Sequence, residues 1–443
     1  MDRAAREALA AAILARSSAD QTEVLVYAND NALTRFTHET SNQNVATDDA
    51  AVSVRAIVGG RTGVAQTNRH DDRSLADVTG RAIEMAKLAP EDPRLPGLPA
   101  GGPAEAPPGA YDAATARAGA DLRAQMCDAV FRAAEKAGFW CAGYASTSAG
   151  GITVANSSGA RASFDGTDAS LNVKMTAADS TGFAEAHANA VGSIDAAAIG
   201  AASVEKARSG AAPRSVDPGE WTVVLEPSAF GELLAYVVSH FSAQAYEEGS
   251  SFFSDGLDRT YLGENVTILD DYADPLAPSM PFDYEGQPKK RLALVEHGVV
   301  KNVVTDSYYA KLLDRENTGH ALPAPNAQGP QALNVVVAAG SKSAAQLVSE
   351  TKRGLLVTRF WYIRTVDQKK AIVTGMTRDG TFLIENGRLA GGVRNLRFNQ
   401  SILDALRHCE LGSERIRTGG YHYSMVAPAA KIQTFAFTST TEF

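Results

Sequence analysis

The chain has 443 residues, of which 44% are apolar and 21% are charged, and its formal net charge is −9. This composition is typical of two or three globular domains, each with its own core, and excludes wholesale disorder. Phosphate-binding surfaces require clustered Lys and Arg, so the acidic balance argues against a nucleic-acid partner.

The cysteines and the N-terminus indicate the compartment. Cys127, Cys141 and Cys409 show no Cys-x-x-Cys spacing, which is typical of a reducing cytoplasm. Charged residues interrupt the apolar stretch in residues 1–20 at helical spacing, which predicts an amphipathic helix rather than a signal peptide. No run approaches the roughly 18 apolar residues of a membrane span. We therefore expect a cytoplasmic protein with no membrane partner.

The N-terminal half combines strand and helix patterns. After the first helix, residues 22–30 and 50–67 alternate with a period of two, as strands do, and residues 75–89 return to helical spacing. The Pro- and Gly-rich segment 89–111 predicts a loop, and a helix then ends at Gly138, a C-cap candidate. Further strands and a last helix follow, as residues 139–192 and 195–210.

The second half is mainly β. It begins with the strand 221–226, and then a helix that contains Leu233. The later runs read as strands or hairpins, with Asp379-Gly380 and Asn386-Gly387 as tight-turn dipeptides. Hairpin links this short favour antiparallel pairing. We therefore predict an α+β fold, with an N-terminal α+β domain (1–215) and a mainly antiparallel β C-terminal domain (216–443) that contains a few helices.

Several stretches resemble the TldD/PmbA family, also called TldD/TldE and historically named modulators of DNA gyrase. In the N-terminal half the resemblance rests on TRFTHETSNQNVATDDAAVSVRAIVGGRTGVAQTN. In the C-terminal half it rests on VVLEPSAFGELLAYVVSH, FDYEGQPKKRLALVEHGVVKNVVTDSYYAKLL with NTGHA, RGLLVTRFWYIRTVD, and TGMTRDGTFLIENGRLAGGVRNLRFNQSI. The resemblance implies two kinds of member: TldD-type chains with a zinc-binding His-Glu-x-x-x-His helix and a downstream cysteine, and TldE/PmbA-type chains that lack this set and pair with a TldD-type chain.

Laid on that motif, the helix carries Ala235 in place of the first His, Tyr236 in place of the catalytic Glu, and His240 in place of the second His. A catalytic zinc needs about three protein ligands and a general base, which Ala235 and Tyr236 cannot supply. Two His five residues apart would also need a π-like bulge to converge. We predict no catalytic residue, no metal ligand and no cofactor here, with zinc only in a TldD-type partner. His240 is read mainly as a core histidine.

Other candidates for contact with substrate are His240 itself, Asn317 and His320 of the NTGHA turn, and Trp361. His320 is expected to be exposed, and strand alternation places Phe360 and Tyr362 on the face opposite Trp361. A hard-cation site at Asp270, Asp271, Asp283 and Glu285 matches no defined calcium loop.

The resemblance implies a non-catalytic TldE/PmbA-like subunit, paired with a TldD-type metallopeptidase or with a second copy of itself, that helps enclose a chamber for unfolded peptides. One alternative is a self-sufficient hydrolase, whose metal would be held by His240 together with His187, His320 or His422. Another is an interaction protein that modulates DNA gyrase.

Overall fold

A computed structural model describes residues 1–419 and 425–441. The first half contains one six-stranded antiparallel sheet of order β3-β2-β1-β4-β5-β6. Its strands are β1 (Gln21–Thr37), β2 (Thr40–Val58), β3 (Arg61–Thr67), β4 (Trp140–Asn156), β5 (Arg161–Thr176) and β6 (Thr181–Ala188). Its helices are α1 (Arg3–Arg16), α2 (Asp72–Leu88), α3 (Ala113–Ala116), α4 (Ala120–Ala137) and α5 (Ala196–Ser209).

Local sequence signals explain where these helices begin and end. The side chains of Asp2, Asp71 and Asp195 accept hydrogen bonds from backbone N–H groups in the first turns of α1, α2 and α5. Gly138 ends α4 with φ 68°, the left-handed conformation expected of a glycine C-cap, so that prediction is confirmed. The apolar faces of the helices then pack on the sheet in two clusters, one around α1 and α2 and one around α4 and α5.

The second half contains a twelve-stranded sheet of order β15-β14-β13-β7-β18-β12-β9-β10-β11-β8, in which β16 pairs with β14 and β18, and β17 pairs with β18. Its strands are β7 (Gly219–Leu225), β8 (Arg259–Thr260), β9 (Ile268–Asp270), β10 (Leu292–Glu296), β11 (Val299–Val300), β12 (Val335–Val337), β13 (Arg353–Asp367), β14 (Ile372–Glu385), β15 (Arg388–Gly392), β16 (Leu396–Ser401), β17 (Cys409–Thr418) and β18 (Met425–Thr440). Its helices are α6 (Pro227–Val238), α7 (Ala243–Glu247), α8 (Ser307–Leu312), α9 (Ala344–Ser349) and α10 (Ile402–Arg407).

Most pairs in this sheet are antiparallel, and β13–β7 and β12–β18 are parallel. The mixture of helices with two largely antiparallel sheets confirms the α+β prediction. The two sheets lie on either side of residue 215, and a domain boundary at that residue remains a prediction.

One of the two turn dipeptides lies elsewhere than expected. Asn386-Gly387, with φ 51° and 77°, is the tight turn between β14 and β15. Asp379-Gly380 is not a turn, because it lies inside β14, where the pairing register with β13 shifts. Gly380 has φ 132°, and a Cβ there would lie 2.5 Å from the Thr358 hydroxyl, so the dipeptide forms an irregularity in a continuous strand.

Polar contacts join the two halves close to the ends of β6 and α6. Lys206 of α5 donates to Glu226, the N-cap residue of α6, at 2.5 Å. Ser228 donates to Glu185 of β6 at 2.7 Å, and Arg417 of β17 pairs with Asp168 of β5. These contacts hold α6 against the edge of the N-terminal sheet, where a cleft is formed.

Candidate functional site

A cleft of about 740 Å³ lies between β4, β5 and β6 of the first half and α6, β13 and β17 of the second. Its lining combines charged and aromatic side chains from all six elements. These are Tyr144, Asp168, Phe183, Glu185, His187, Glu232, Tyr236, Arg359, Trp361, Tyr362, Arg364 and Arg417. None of these elements could supply the site alone.

Helix α6 presents one face to the core and one to the cleft. Pro227 stands at its first turn, where its missing N–H costs nothing. Leu233, Leu234, Val237 and Val238 are buried in the core, while Glu232, Ala235 and Tyr236 line the cleft. The helix is α-helical to Val238 and is followed by a 3₁₀ turn, Ser239–Phe241, so the described backbone has no π bulge at the motif positions.

His240 faces the core rather than the cleft. Its side chain is buried, with only 1% of the residue exposed, and its ring packs on Phe252 at 5.2 Å. The Nδ1 atom accepts a hydrogen bond from the Phe252 N–H at 3.2 Å, so the proton resides on Nε2, which has no hydrogen-bond partner among the described residues. Burial lowers the pKa of His240 to about 4. This is the environment of a neutral core histidine.

This burial predicts a specific dependence of stability on pH. Because the folded pKa is about 4 and the unfolded value is 6.5, the unfolded chain binds more protons between these pH values, and stability falls as pH falls through them. Between pH 7.5 and pH 4.5, we expect the free energy of unfolding to fall by about 2–3 kcal/mol more for the wild type than for the His240→Gln variant. Urea unfolding at both pH values measures this difference. Equal losses would contradict it, and His408→Gln, at an exposed histidine, is the control.

Tyr236 is the residue that the family resemblance predicts in place of a catalytic glutamate. Its hydroxyl donates to the Ile363 backbone carbonyl of β13 at 2.7 Å, and burial raises its pKa above the ordinary value for tyrosine. A phenol of this kind is not a general base near neutral pH. Ala235 carries no donor atom, so the side chains at 235, 236 and 240 do not fit a zinc ion.

The described histidines of the alternative metal site do not share one location. His187 lines the cleft, His320 lies in the core, and His422 lies outside the described residues. Cys409 is buried beside Leu406, away from the cleft. Within residues 1–419 and 425–441, no group of three or more His, Cys, Asp or Glu side chains could hold a metal ion.

The NTGHA turn was wrongly expected to expose its histidine. His320 is only 2% exposed, and its Nε2 lies 3.2 Å from Oδ1 of the equally buried Asp270. Asn317 is half-buried, donates to the Ser307 hydroxyl at 3.0 Å and accepts from the Gly319 N–H at 2.9 Å. Neither residue lines the cleft, and the turn is instead tied to Asp283, which accepts the Ala321 N–H at 2.9 Å. Their proposed contact with substrate has no support in this placement.

Trp361 does line the cleft, although the expected alternation along its strand is broken. Phe360 is buried, whereas Trp361 and Tyr362 are both exposed, at 44% and 60%. The pairing register between β13 and β14 shifts after Trp361, and Tyr362 has φ 58°. This bulge turns two consecutive aromatic side chains outward, which a regular strand cannot do.

A polar network surrounds His187, which the sequence indicated only as an alternative metal ligand. His187 Nε2 lies 3.1 Å from Glu185 Oε2, and its Nδ1 lies 2.9 Å from the Ser170 hydroxyl. Burial alone would raise the pKa of Glu185, but the contacts with His187 and Ser228 hold it below its usual value. The only sequence signal was the spacing of two polar residues on one face of β6, which many solvated strands share.

Glu232 and Arg359 are neighbours in the cleft, with Glu232 Oε1 4.0 Å from Arg359 Nη2. Glu232 accepts a hydrogen bond from the Phe360 N–H at 2.7 Å, and burial raises the pKa of its carboxyl group to about 7, although nearby Arg359 opposes the shift. Arg359 lies over the rings of Phe183 and Trp361, at 4.3 and 5.4 Å. The cleft therefore has a titratable carboxyl group beside a stacked guanidinium.

The fold and this site define a class: a two-sheet α+β protein with a charged and aromatic cleft between the N-terminal sheet and α6, β13 and β17 of the second half. Family models for PmbA/TldA metallopeptidase domain 1 and for the PmbA/TldA metallopeptidase C-terminal domain match residues 26–86 and 218–439. The chain belongs to the PmbA/TldD metallopeptidase family.

Individual relatives are distant. A metalloprotease of Methanocaldococcus jannaschii is 27% identical over 42% of this chain and 42% of its own length, and the metalloprotease PmbA of Escherichia coli O157:H7 is 24% identical over 47% and 44%. The chain thus spans less than half the length of these curated relatives. The crystal structure of TldE from Thermococcus kodakarensis shares the fold, with TM-score 0.89, 21% identity and coverage of 98% and 100%. A Thermotoga maritima protein provisionally named a modulator of a DNA gyrase aligns with TM-score 0.84, 18% identity and coverage of 94% and 96%.

Proposed function

We propose that this chain is a non-catalytic, TldE/PmbA-like subunit of a peptide-processing complex. It would pair with a TldD-type zinc metallopeptidase, and its cleft would form part of the wall of a chamber for unfolded peptides. The reaction would take place on the partner's zinc. The observation that supports this most is the orientation of α6, which directs Ala235 and Tyr236 to the cleft and His240 into the core.

Two further observations support a role in binding. The cleft is large enough for several peptide residues and has aromatic walls, which supply apolar contact area at low entropic cost. Two backbone groups of β13 at the cleft are already hydrogen-bonded: the Phe360 N–H donates to Glu232, and the Ile363 carbonyl accepts from the Tyr236 hydroxyl. Side-chain contacts would therefore dominate recognition. None of the described helices is long and apolar enough to cross a membrane, and three buried free cysteines support a cytoplasmic location.

Metal analysis and peptide cleavage, with and without a TldD-type chain, test this proposal. We expect the purified chain to contain no stoichiometric zinc and to leave unfolded peptides intact, and to co-elute with the TldD-type chain as a peptide-cleaving complex. A TldD-type variant with its zinc histidines replaced is the control, and its complex should be inactive. Stoichiometric zinc and cleavage by this chain alone would instead indicate the self-sufficient hydrolase.

The third function, modulation of DNA gyrase, comes from the names of relatives. No feature of the described cleft favours it over peptide binding, because Arg359 and Arg417 face carboxylates and Arg364 stacks on Tyr362. Salt-dependent binding to DNA would be the sign of a nucleic-acid role.

A further inference from the structure

Arg359 is held in the cleft by aromatic rings rather than by hydrogen bonds. Its guanidinium lies 4.3 Å from the centre of the Phe183 ring and 5.4 Å from that of Trp361, and Arg378 covers Trp361 at 4.9 Å. Stacking of this kind sets the plane of the guanidinium and leaves its edge, where the N–H donors point, available to a ligand.

Within the described part of the protein, Arg359 faces two carboxylates at ion-pair distance but makes no hydrogen bond. The nearest carboxylate oxygens belong to Asp379 and Glu232, at 3.8 and 4.0 Å, which is beyond hydrogen-bond distance. Asp379 is shared with Arg378, which lies 3.9 Å away. The Nε atom is buried and has no partner within residues 1–419 and 425–441. A largely buried guanidinium without acceptors is unfavourable, and a bound acceptor would remove that cost.

The anions in the cleft are already engaged or readily neutralised. Asp168 pairs with Arg417, and Glu185 is bonded by His187 and Ser228. Burial raises the pKa of Glu232 to about 7, so its carboxyl group is partly protonated at neutral pH and can then donate a hydrogen bond. Although the chain has a net charge of −9, this cleft therefore offers hydrogen-bond donors to the carboxylate of a ligand.

The wall beside Arg359 suits an apolar or aromatic side chain. Trp361 and Tyr362 are turned outward by the bulge in β13, and Arg364 stacks on Tyr362 at 4.4 Å. Across the cleft, Tyr144 supplies a further ring. A ligand with a carboxylate next to a large apolar group would contact both features at once.

We propose that the cleft binds a carboxylate of an unfolded peptide on Arg359, with a neighbouring aromatic or apolar side chain of the peptide against Trp361 and Tyr362. The carboxylate can belong to the peptide C-terminus or to an acidic side chain. This inference rests on the proposed function in taking a peptide as ligand. It adds a chemical preference to a cleft that would otherwise accept any unfolded segment.

Binding of labelled peptides to the full-length chain, measured by fluorescence anisotropy, tests the proposal. One peptide ends in a free Phe carboxylate, a second is its C-terminal amide, and a third is the amide with an internal Asp-Phe pair. Charge-assisted bonds to guanidinium are strong, so we expect the carboxylate-free amide to bind about 10-fold to 100-fold more weakly than the free acid. Recovery with the Asp-Phe peptide identifies an acidic side chain as a second source of the carboxylate.

The Arg359→Met variant keeps the alkyl contacts and removes the charge, and we expect it to bind the acid and the amide equally. Arg353→Met is the matched control, because Arg353 lies on the same strand and covers Trp221 at 4.5 Å, outside the cleft. Equal binding of acid and amide by the wild type would overturn the carboxylate proposal and leave peptide binding intact. Failure of every peptide to bind the wild type would overturn both.

Discussion

Replacing His320 with alanine is expected to lower the free energy of unfolding by about 3–5 kcal/mol. His320 Nε2 lies 3.2 Å from Asp270 Oδ1, and both side chains are fully buried. Burial alone would raise the pKa of Asp270, yet His320 and Lys289 hold it below the usual value, so the carboxylate is charged in the fold. Removal of the imidazole leaves this charge without its nearest partner.

Asp270 also contacts the C-terminal sheet. We therefore expect the loss of stability to affect the whole C-terminal half. The second oxygen of Asp270 accepts the Asn334 N–H at 2.9 Å, beside the pairing of β9 with β10 and β12. Chemical unfolding at neutral pH measures the loss. His408→Ala, at an exposed position, should change stability by no more than about 0.5 kcal/mol. Equal stability of both variants would mean that His320 and Asp270 are not paired in the core.

The second large effect is expected from Gly182→Ala in β6. A Cβ at this position would lie 2.2 Å from the Ser203 carbonyl oxygen and 2.4 Å from the Ala207 nitrogen, both in the backbone of α5. Backbone atoms cannot rotate away, so α5 must move off the sheet. Overpacking typically costs 1–3 kcal/mol, and we expect about 3 kcal/mol or more here because the clash is with a helix backbone.

This substitution should also affect the cleft, because Gly182 is on the strand that carries Glu185 and His187. We expect weaker peptide binding together with the loss of stability, measured by thermal unfolding and anisotropy. Gly80→Ala in α2 is the matched control: nothing lies within 4 Å of its Cβ, and alanine in a helix interior should stabilise the chain by about 0.5–1 kcal/mol. Two variants with the same unfolding temperature would contradict the close packing of α5 on β6.

The secondary structure and the family were accessible from the sequence because their signals are local. Aspartate caps, the glycine at the end of α4 and the period-two runs act within a few residues, and the structure has the corresponding elements. The Asp379-Gly380 dipeptide shows the limit of this reasoning. Both residues have positive φ, as in many tight turns, but pairing along both sides of the strand made the dipeptide an irregularity inside β14.

The candidate site was accessible only in part. Ala235 and Tyr236 could be placed because they stand at defined positions of a helix motif. Glu232 was missed although it is one helical turn before Ala235 and Tyr236. Nothing in the sequence indicates that Arg359 and the edge strand β6 lie next to this face of α6. His320 was expected at the surface because its turn is rich in small polar residues, and Asp270, fifty residues earlier in the chain, buries it.

The sequence by itself determined the type of each main element, the α+β class, the family resemblance and the absence of a ligand and a base at positions 235 and 236. The tertiary structure decided which side chains meet. It placed His240 in the core, His187 beside Glu185, and the guanidinium of Arg359 beside Glu232. The physical reason is that backbone hydrogen bonding and amphipathic periodicity are short-range, whereas burial, and the pKa shifts that follow from it, depend on segments far apart in the chain.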